Sequence, residues 1–285
     1  MIVPFFIPHA GCPHQCVFCD QRTIAGQPPG IPTAAELVST IAGHRATGGD
    51  DGVEVAFFGG TFTALSRDAQ ERLLAPLQPL RAAGIVRSVR VSTRPDCVDS
   101  GTAGYLGSMG VATVELGVQS LDEEVLRLSG RGHGVGDVER AVAALRGAGL
   151  KFVAQLMPGL PGDTPAGSLA TLDAVLSLGP DALRIYPALV LAGTRLAELW
   201  CEGNYRPLSL AEAVRTCKLM LHRALRARVP VLRIGLQPTA ELQAAGAVVA
   251  GPFHPAFRQL VEADMWYDLL VRLAGPLSGE ATATV

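Results

Sequence analysis

Long apolar runs are missing from this sequence. No stretch of eighteen apolar residues occurs, so no membrane-spanning helix and no membrane partner are predicted. The N-terminal run MIVPFFIPHAGC has no basic start and too short an apolar stretch for a secretory signal peptide. Six cysteines in 285 residues do not describe a disulfide scaffold. These absences together predict a protein of the reducing cytoplasm.

A surplus of charge is missing as well. The 24 lysines and arginines nearly balance the 26 aspartates and glutamates, for a net charge of −2, so the whole molecule does not predict a polyanionic partner. A local exception is the predicted helix 209–228, whose basic stripe consists of Arg215, Lys218, His222 and Arg226. The predicted apolar face opposite consists of Leu210, Val214, Cys217, Leu221 and Leu225. Such a stripe is more typical of a solvated helix surface than of a phosphate-binding track.

Cysteines, although few, are concentrated near the N-terminus. The run CPHQCVFC contains Cys12, Cys16 and Cys19, and thiolates on one short loop can bind a common metal centre. A structural zinc site usually takes four ligands in two short pairs, and no second pair occurs. An iron–sulfur cubane with one open iron therefore fits better. A zinc site completed by His14 or a remote cysteine, and buried free thiols, are the alternatives.

Short β-rich runs alternate with helical patterns along most of the chain, which is typical of parallel βα units. Strands are predicted at 2–7, 53–58, 88–92, 111–117, 151–156, 182–186 and 230–235. Helices are predicted at 33–47, 66–83, 99–109, 135–148, 166–178 and 209–228. Six such units favour an α/β fold, an open (β/α)6 barrel of TIM type. We assign 1–235 to this core and 236–275 to a C-terminal extension packed on it, and expect 276–285 to be disordered.

Polar and glycine motifs follow the predicted strands. The cysteine loop follows the first strand, Gly59-Gly60-Thr61 the second and Ser92-Thr93-Arg94 the third, while Gln119 and Met157-Pro158-Gly159 follow the fourth and fifth. Because ligands collect at the carboxyl ends of parallel strands in α/β folds, these placements predict one shared site.

The cysteine spacing, with Phe18 before the third cysteine, resembles that of the radical S-adenosylmethionine (SAM) enzymes. Four further segments strengthen the resemblance: VEVAFFGGTF at 53–62, RVSTRPD at 90–96, VELGVQSLDEEVLRLSGRGH at 114–133 and MPGLPG at 157–162. Together they resemble the radical-SAM half of the Elongator catalytic subunit and its bacterial relatives, with a shorter cysteine spacing and without the acetyltransferase domain. The resemblance implies a partial TIM-like barrel of the radical SAM type.

This resemblance also implies cofactors and chemistry. A [4Fe-4S] cluster would bind Cys12, Cys16 and Cys19, and its open iron would chelate the amino and carboxylate groups of SAM. One electron, from a reductant such as ferredoxin or flavodoxin, would cleave SAM to methionine and a 5′-deoxyadenosyl radical that abstracts hydrogen from the substrate. The substrate is unidentified, with tRNA as a candidate.

Several residues are then candidates for contact with SAM or for shielding the cluster. Phe18 would cover the adenine or shield the cluster. Gly59 and Gly60 would let the main chain approach the methionine part, and Thr61 would help to bind its amino group. For the ribose or carboxylate the candidates are Ser92 and Arg94, although Arg94 could instead make an ion pair within the barrel.

A second set of candidate residues resembles the SAM-binding residues of another group of radical SAM enzymes. Gln119 and Arg131 are twelve residues apart, as are the ribose-binding glutamine and carboxylate-binding arginine of the oxygen-independent coproporphyrinogen oxidases. Gln155 stands where those enzymes carry an aspartate directed at the ribose. Arginine suits a carboxylate because its planar fork makes a bidentate pair. A tetrapyrrole-related radical SAM reaction is therefore an alternative, and a non-catalytic iron–sulfur or nucleic-acid-binding module is another.

Overall fold

The computed structural model describes residues 1–25, 30–48 and 52–274. Its strands are β1 (Ile2–Phe6), β2 (Val53–Phe58), β3 (Val86–Thr93), β4 (Val111–Gln119), β5 (Lys151–Leu156), β6 (Ala182–Ile185), β7 (Val190–Leu191), β8 (Val231–Ile234) and β9 (Val248–Ala250). Its α-helices are α1 (Gln21–Ala25), α2 (Ala34–Gly48), α3 (Arg67–Leu74), α4 (Leu77–Ala82), α5 (Ser100–Ser108), α6 (Glu123–Leu128), α7 (Val135–Gly147), α8 (Pro165–Ser177), α9 (Arg195–Cys201), α10 (Leu210–Arg226), α11 (Ala240–Gln243) and α12 (Phe257–Ala274).

One curled sheet of seven strands organises the molecule. Its order is β1-β2-β3-β4-β5-β6-β8, and every neighbouring pair is parallel. Within the described residues β1 and β8 are its two edges, so the sheet is an open half-barrel. The predicted α/β class and partial TIM-like barrel are confirmed. The short strands β7 and β9 pair antiparallel outside this sheet.

Side chains of each strand alternate between two faces, as the two-residue period of a strand requires. The outer face packs against the helices and contributes apolar residues to the main core, among them Val3, Phe57, Val91, Leu116 and Ile185. The inner face, inside the half-barrel, carries polar and charged side chains. The fold thus surrounds a polar interior with an apolar layer.

The predicted strands all exist, but the helix predicted at 66–83 was wrong as a single element. It divides into α3 and α4 with Pro76 between them, because a proline has no backbone N–H to continue a helix. The start at Ser66 is confirmed, since its side chain accepts a hydrogen bond from the Ala69 N–H. Helices α1, α6, α9, α11 and α12 had no counterpart in the prediction.

The C-terminal region holds more structure than its loop-rich sequence indicates. Helix α11 and strand β9 lie between β8 and α12. In α12, Asp264 and Asp268 each lie 2.7 Å from the Lys218 Nζ of α10, so α12 packs against α10. The domain boundaries at 235 and 275 stay a prediction, and the tail 276–285 lies outside the described residues.

The basic stripe of α10 is interrupted by these contacts. Lys218 is engaged by two carboxylates, whereas Arg215, His222 and Arg226 are exposed. The apolar face was also partly misplaced. Leu210 and Leu225 are exposed, and the buried side is formed by Ala213, Thr216, Cys217, Met220, Leu221 and Ala224. In the described part of the chain no helix has the length and apolarity needed to cross a bilayer.

A network of ion pairs crosses the inner face of the sheet. Glu115 of β4 accepts hydrogen bonds from Arg90 of β3 at 2.9 Å and from Arg184 of β6 at 3.0 Å. The Arg90 guanidinium also contacts both carboxylate oxygens of Glu54 on β2, at 3.2 and 3.3 Å. Glu115 is only 3% exposed and bridges two arginines, so four strands are tied together from inside.

Replacing Glu115 with glutamine is expected to lower the free energy of unfolding by about 3–5 kcal/mol, because it removes one charge of a buried network and leaves two arginines underpaired. Urea denaturation at constant m-value would measure the loss. The matched control is Glu124→Gln, which breaks the exposed pair with Arg127 and should leave the urea midpoint unchanged. Equal midpoints for both variants would contradict a stabilising role for the network.

Candidate functional site

The cysteine loop leaves β1 at the carboxyl edge of the sheet and runs to α1. Its turns are held by backbone hydrogen bonds from Cys12 N–H to the His9 carbonyl at 3.2 Å and from Cys19 N–H to the Cys16 carbonyl at 3.1 Å. Cys16 is buried, and Cys12 and Cys19 are half-buried. Burial, reinforced by the nearby Cys16 and Cys12, raises the pKa of the Cys19 thiol to about 12. The three thiols thus form one electrostatically coupled group.

A glutamine that the sequence analysis missed anchors this loop. Gln21 Oε1 accepts hydrogen bonds from the backbone N–H groups of His9 and Gly60, both at 2.6 Å. The Gln21 N–H lies 3.0 Å from His9 Nε2. One side chain therefore joins the cysteine loop to the end of β2. A glutamine two residues after the last cysteine carries no distinctive sequence signal, so only the structure identifies it.

Gly59 and Gly60 both have positive φ, at 77° and 60°. A Cβ on Gly60 would lie 2.3 Å from the Ala10 carbonyl oxygen, and the next residue, Thr61, donates its N–H to that same oxygen at 2.7 Å. The glycine at position 60 is thus required for close packing of β2 against the cysteine loop. Contact of Gly59, Gly60 and Thr61 with SAM stays a prediction. The Thr61 hydroxyl lies 3.4 Å from Cys12 Sγ.

The loop SGRGH at 129–133 covers the cysteine loop from the other side. The backbone carbonyl of Ser129 accepts a hydrogen bond from the Val17 N–H at 3.1 Å. A Cβ on Gly132, whose φ is 69°, would lie 2.5 Å from His14 Nε2. The absence of a side chain at Gly132 therefore lets the two loops pack directly on each other.

Arg131, in the middle of that loop, contacts a predicted cluster ligand directly. Its Nη1 donates to Cys16 Sγ at 3.1 Å and its Nη2 to the Gly117 carbonyl at 2.6 Å. The side chain is 5% exposed, and its Nε has no hydrogen-bond partner within the described residues. The arginine predicted twelve residues after Gln119 is thus placed beside the thiols.

Two more predicted residues lie next to Arg131. Arg94 makes a two-point ion pair with Asp96, with both N–O distances at 3.0 Å, and also donates to the Arg131 carbonyl. Gln119 has the positive φ of 67°, uncommon for a residue with a side chain. Its amide nitrogen and an Arg131 guanidinium nitrogen both lie close to Gly117. Arg94, Gln119 and Arg131 therefore share one buried region.

This region contains unused hydrogen-bonding atoms. Arg94 Nη1, Arg131 Nε and Gln119 Oε1 are buried and have no partner among the residues that the structure describes. Buried polar atoms are rarely left without a partner in folded proteins. Two donors and one acceptor beside a thiol group fit a bound ligand that carries both an oxyanion and hydroxyl groups.

The other predicted site residues do not belong to this group of unpartnered atoms. Ser92 and Gln155 are half-buried on strands β3 and β5, in register with Glu115 and Arg184 respectively. Phe18 packs in a second apolar cluster, which also contains Cys16, Val125, Leu160, Ala188, Val190, Leu196 and Tyr205. This position suits shielding of the thiols. SAM contact by Ser92, Gln155 and Phe18 stays a prediction.

His133 also lies in this region. Burial, together with the charges of Arg131 and Arg94, lowers the pKa of the imidazole to about 4, so the ring is neutral at neutral pH. The ring is buried. A neutral imidazole adds no third positive charge beside the two arginines.

Within the described residues no three His, Cys, Asp or Glu side chains converge on a point where they could share one metal ion. Three neighbouring thiols on one anchored loop suit an iron–sulfur cubane, in which each thiolate binds a different iron.

Comparison with protein families agrees with this geometry. The model of the Radical SAM superfamily matches residues 6–175, and that of the Radical_SAM C-terminal domain matches residues 180–267. The tRNA uridine(34) acetyltransferase of Methanocaldococcus infernus is 29% identical over 257 residues, which cover 75% of this chain and 47% of that protein. That of Dehalococcoides mccartyi is 42% identical over 120 residues, 41% of this chain and 26% of that protein. The chain thus spans less than half the length of these relatives.

Solved structures show the same fold. The Elp3 protein of Methanocaldococcus infernus, with an N-terminal deletion, has a TM-score of 0.72 and 24% identity, and the alignment covers 94% of this chain and 63% of that one. The radical SAM coproporphyrinogen III oxidase of Escherichia coli has a TM-score of 0.56 and 19% identity, covering 79% of this chain and 52% of that one. At these identities the likeness is one of fold.

Proposed function

Since the chain belongs to the radical SAM superfamily of enzymes, whose members use a [4Fe-4S] cluster and SAM, we propose that it binds both at the site described above. Cys12, Cys16 and Cys19 would hold the cluster. The observation that carries the proposal is the contact of Arg131 with Cys16, next to buried hydrogen-bonding atoms without a partner. Such atoms suit a cofactor that has a carboxylate and a ribose.

Each of these side chains would then have a definite task. Arg131 Nε and Arg94 Nη1, both donors, would bind the SAM carboxylate, and Gln119 Oε1 would accept from a ribose hydroxyl. Gly59, Gly60 and Thr61 would border the methionine part. Ser92 and Gln155, on the inner face, would line the path to the ribose or the substrate, and Phe18 would keep water from the cluster.

The bound cofactors would supply one-electron reductive cleavage of SAM, which would give methionine and a 5′-deoxyadenosyl radical able to abstract hydrogen from the substrate. The chain's own residues would position the cofactor and exclude water around it. Phe18 and the buried residues of its cluster form the dry side of the site. Reduction would come from ferredoxin or flavodoxin.

For the substrate we propose tRNA, with the reaction in the cytoplasm. The support is sequence similarity to tRNA uridine(34) acetyltransferases over most of the chain. The basic stripe of α10 does not support this proposal, because Lys218 in its middle is already paired with two carboxylates. Contact with RNA would therefore involve other surfaces at the open mouth of the half-barrel.

The test is an anaerobic assay of protein reconstituted with iron and sulfide, then given dithionite and SAM. We expect 5′-deoxyadenosine and methionine in equal amounts, separated and measured by chromatography. Added tRNA should increase the rate, whereas duplex DNA at the same phosphate concentration should not. A full cluster without 5′-deoxyadenosine would overturn the proposed cleavage. An equal response to tRNA and DNA would overturn tRNA as the substrate while leaving SAM cleavage intact.

A further inference from the structure

One arginine lies beside the ionic network on the inner face of the half-barrel and has no carboxylate partner in it. The arginines of the network are Arg90 and Arg184, and its carboxylates are Glu54 and Glu115. Two positive and two negative side chains balance. Strand β8 adds Arg233, which is in register with Arg184 on β6. The group as a whole therefore has three positive charges against two negative ones.

Arg184 and Arg233 differ in how they are compensated. Arg184 has its Nη2 3.0 Å from Glu115 Oε1 and its Nε 2.9 Å from Oε2, and its guanidinium lies 5.4 Å from the centre of the Phe58 ring. Arg233 is half-buried, it pairs with β6 through its backbone, and its guanidinium has no ion pair or hydrogen bond within residues 1–25, 30–48 and 52–274. Arg233 therefore adds a positive charge beside Arg184 that no carboxylate among these residues offsets.

Tyr186 lies close enough to Arg233 for the charge of the arginine to act on its phenol. It directly follows β6, and its hydroxyl accepts a hydrogen bond from Arg184 Nη1 at 3.3 Å. Burial raises the pKa of this phenol, with Arg184 and Arg233 acting in the opposite direction, so the hydroxyl keeps its proton at neutral pH. The hydroxyl accepts from Arg184 and donates to no acceptor among the described residues, so its O–H is available to a ligand. Arg233 and Tyr186 thus present hydrogen-bond donors.

An oxyanion is bound by hydrogen-bond donors together with a positive charge. Arg233 and Tyr186 offer both. A phosphate or a carboxylate would pair with the guanidinium in the strong, charge-assisted way and would neutralise the excess charge. Arg233 lies near the carboxyl end of β8, which is an edge of the sheet within the described residues. A ligand could therefore reach it from the mouth of the half-barrel, where the cysteine loop also lies.

We propose that Arg233 and Tyr186 form a subsite for an oxyanion group of the substrate, inside the half-barrel. The role of this ligand as substrate rests on the function proposed above, whereas the binding of an oxyanion does not. Phosphate and carboxylate share the chemistry that this subsite recognises. The experiment below distinguishes the two.

The test uses the reconstituted protein with saturating SAM, so that Arg94 and Arg131 are engaged by the cofactor. Inorganic phosphate and acetate are titrated separately at constant ionic strength, and binding is followed by isothermal titration calorimetry. We expect saturable binding of at least one anion, weakened about tenfold or more in Arg233→Gln and less in Tyr186→Phe, because the charged donor contributes more than the neutral one. Arg233→Lys should keep part of the affinity, which guards against a glutamine variant that fails to fold.

The matched control is Arg226→Gln, an exposed arginine at the end of α10, which should bind both anions as the parent does. Preference for phosphate assigns the subsite to a phosphate group, and preference for acetate assigns it to a carboxylate. Anion binding unchanged in Arg233→Gln, or no saturable binding of either anion, overturns the subsite. Parent protein that binds an anion through Arg233 but yields no 5′-deoxyadenosine would refute the proposed function alone.

Discussion

Replacing Cys16 with alanine is expected to remove nearly all cluster-bound iron and sulfide and the brown colour of the anaerobically purified protein. The parent should carry about four irons and four sulfides per chain, because three thiolates on this loop suit a cubane with one open iron. Cys16 is the buried member of the three and the one that Arg131 contacts, so no solvent ligand can easily take its place. Iron and sulfide analysis, together with the visible spectrum, measures the effect.

The matched control for this substitution is Cys201→Ala. Cys201 is an exposed thiol at the end of α9, and its loss should leave iron content and colour unchanged. Stoichiometric zinc in the parent, without uptake of iron under reconstitution, would refute the cluster assignment. Full iron content in Cys16→Ala would show that the cluster is bound elsewhere.

The second large effect is expected for Arg131→Lys, which should weaken SAM binding by about 2–4 kcal/mol, or roughly 30- to 1,000-fold. Lysine keeps the charge but has one nitrogen, whereas Arg131 uses Nη1 and Nη2 for Cys16 and Gly117 and has Nε left for a ligand. A planar fork is needed to make these contacts together. Equilibrium dialysis of SAM against reconstituted protein measures the loss.

Iron content should be retained in Arg131→Lys, because the three thiols are held by other contacts. The control is Arg140→Lys, on α7, where the exposed arginine pairs with Asp137 and SAM affinity should not change. Parent-like SAM affinity in Arg131→Lys would place the carboxylate-binding group elsewhere, with Arg94 as the next candidate.

Features that depend on local sequence were predictable. The seven parallel strands follow from alternating apolar runs, and the order of motifs after the strands indicated one edge of the sheet. The pairing of Cys16 with Arg131 joins residues 115 positions apart, and only the family resemblance suggested that they share a site. Pro76 was visible in the sequence, but its helix-breaking effect was underestimated.

Contacts between distant residues account for what was missed. The basic stripe of α10 cannot be judged without α12, which supplies Asp264 and Asp268 to Lys218. The inner ionic network requires the register of four strands, and a single glutamate such as Glu115 gives no local sign of two arginine partners. At Gly60 the missing side chain admits the backbone of Ala10, a contact between distant residues that the sequence does not show, and contact of Gly60 with a ligand stays a prediction.

The Gln21 anchor bears on how metal enters the protein. The hydrogen bonds from His9 and Gly60 to Gln21, and from Thr61 to Ala10, involve no metal ligand, so they gather the three thiols in the polypeptide itself. A flexible loop would lose conformational entropy on closing around a cluster. Here most of that conformational entropy is lost when the chain folds. Insertion of the cluster therefore needs little further ordering of the loop. Weakening this anchor, as in Gln21→Ala, should therefore slow iron uptake more than it weakens the finished cluster.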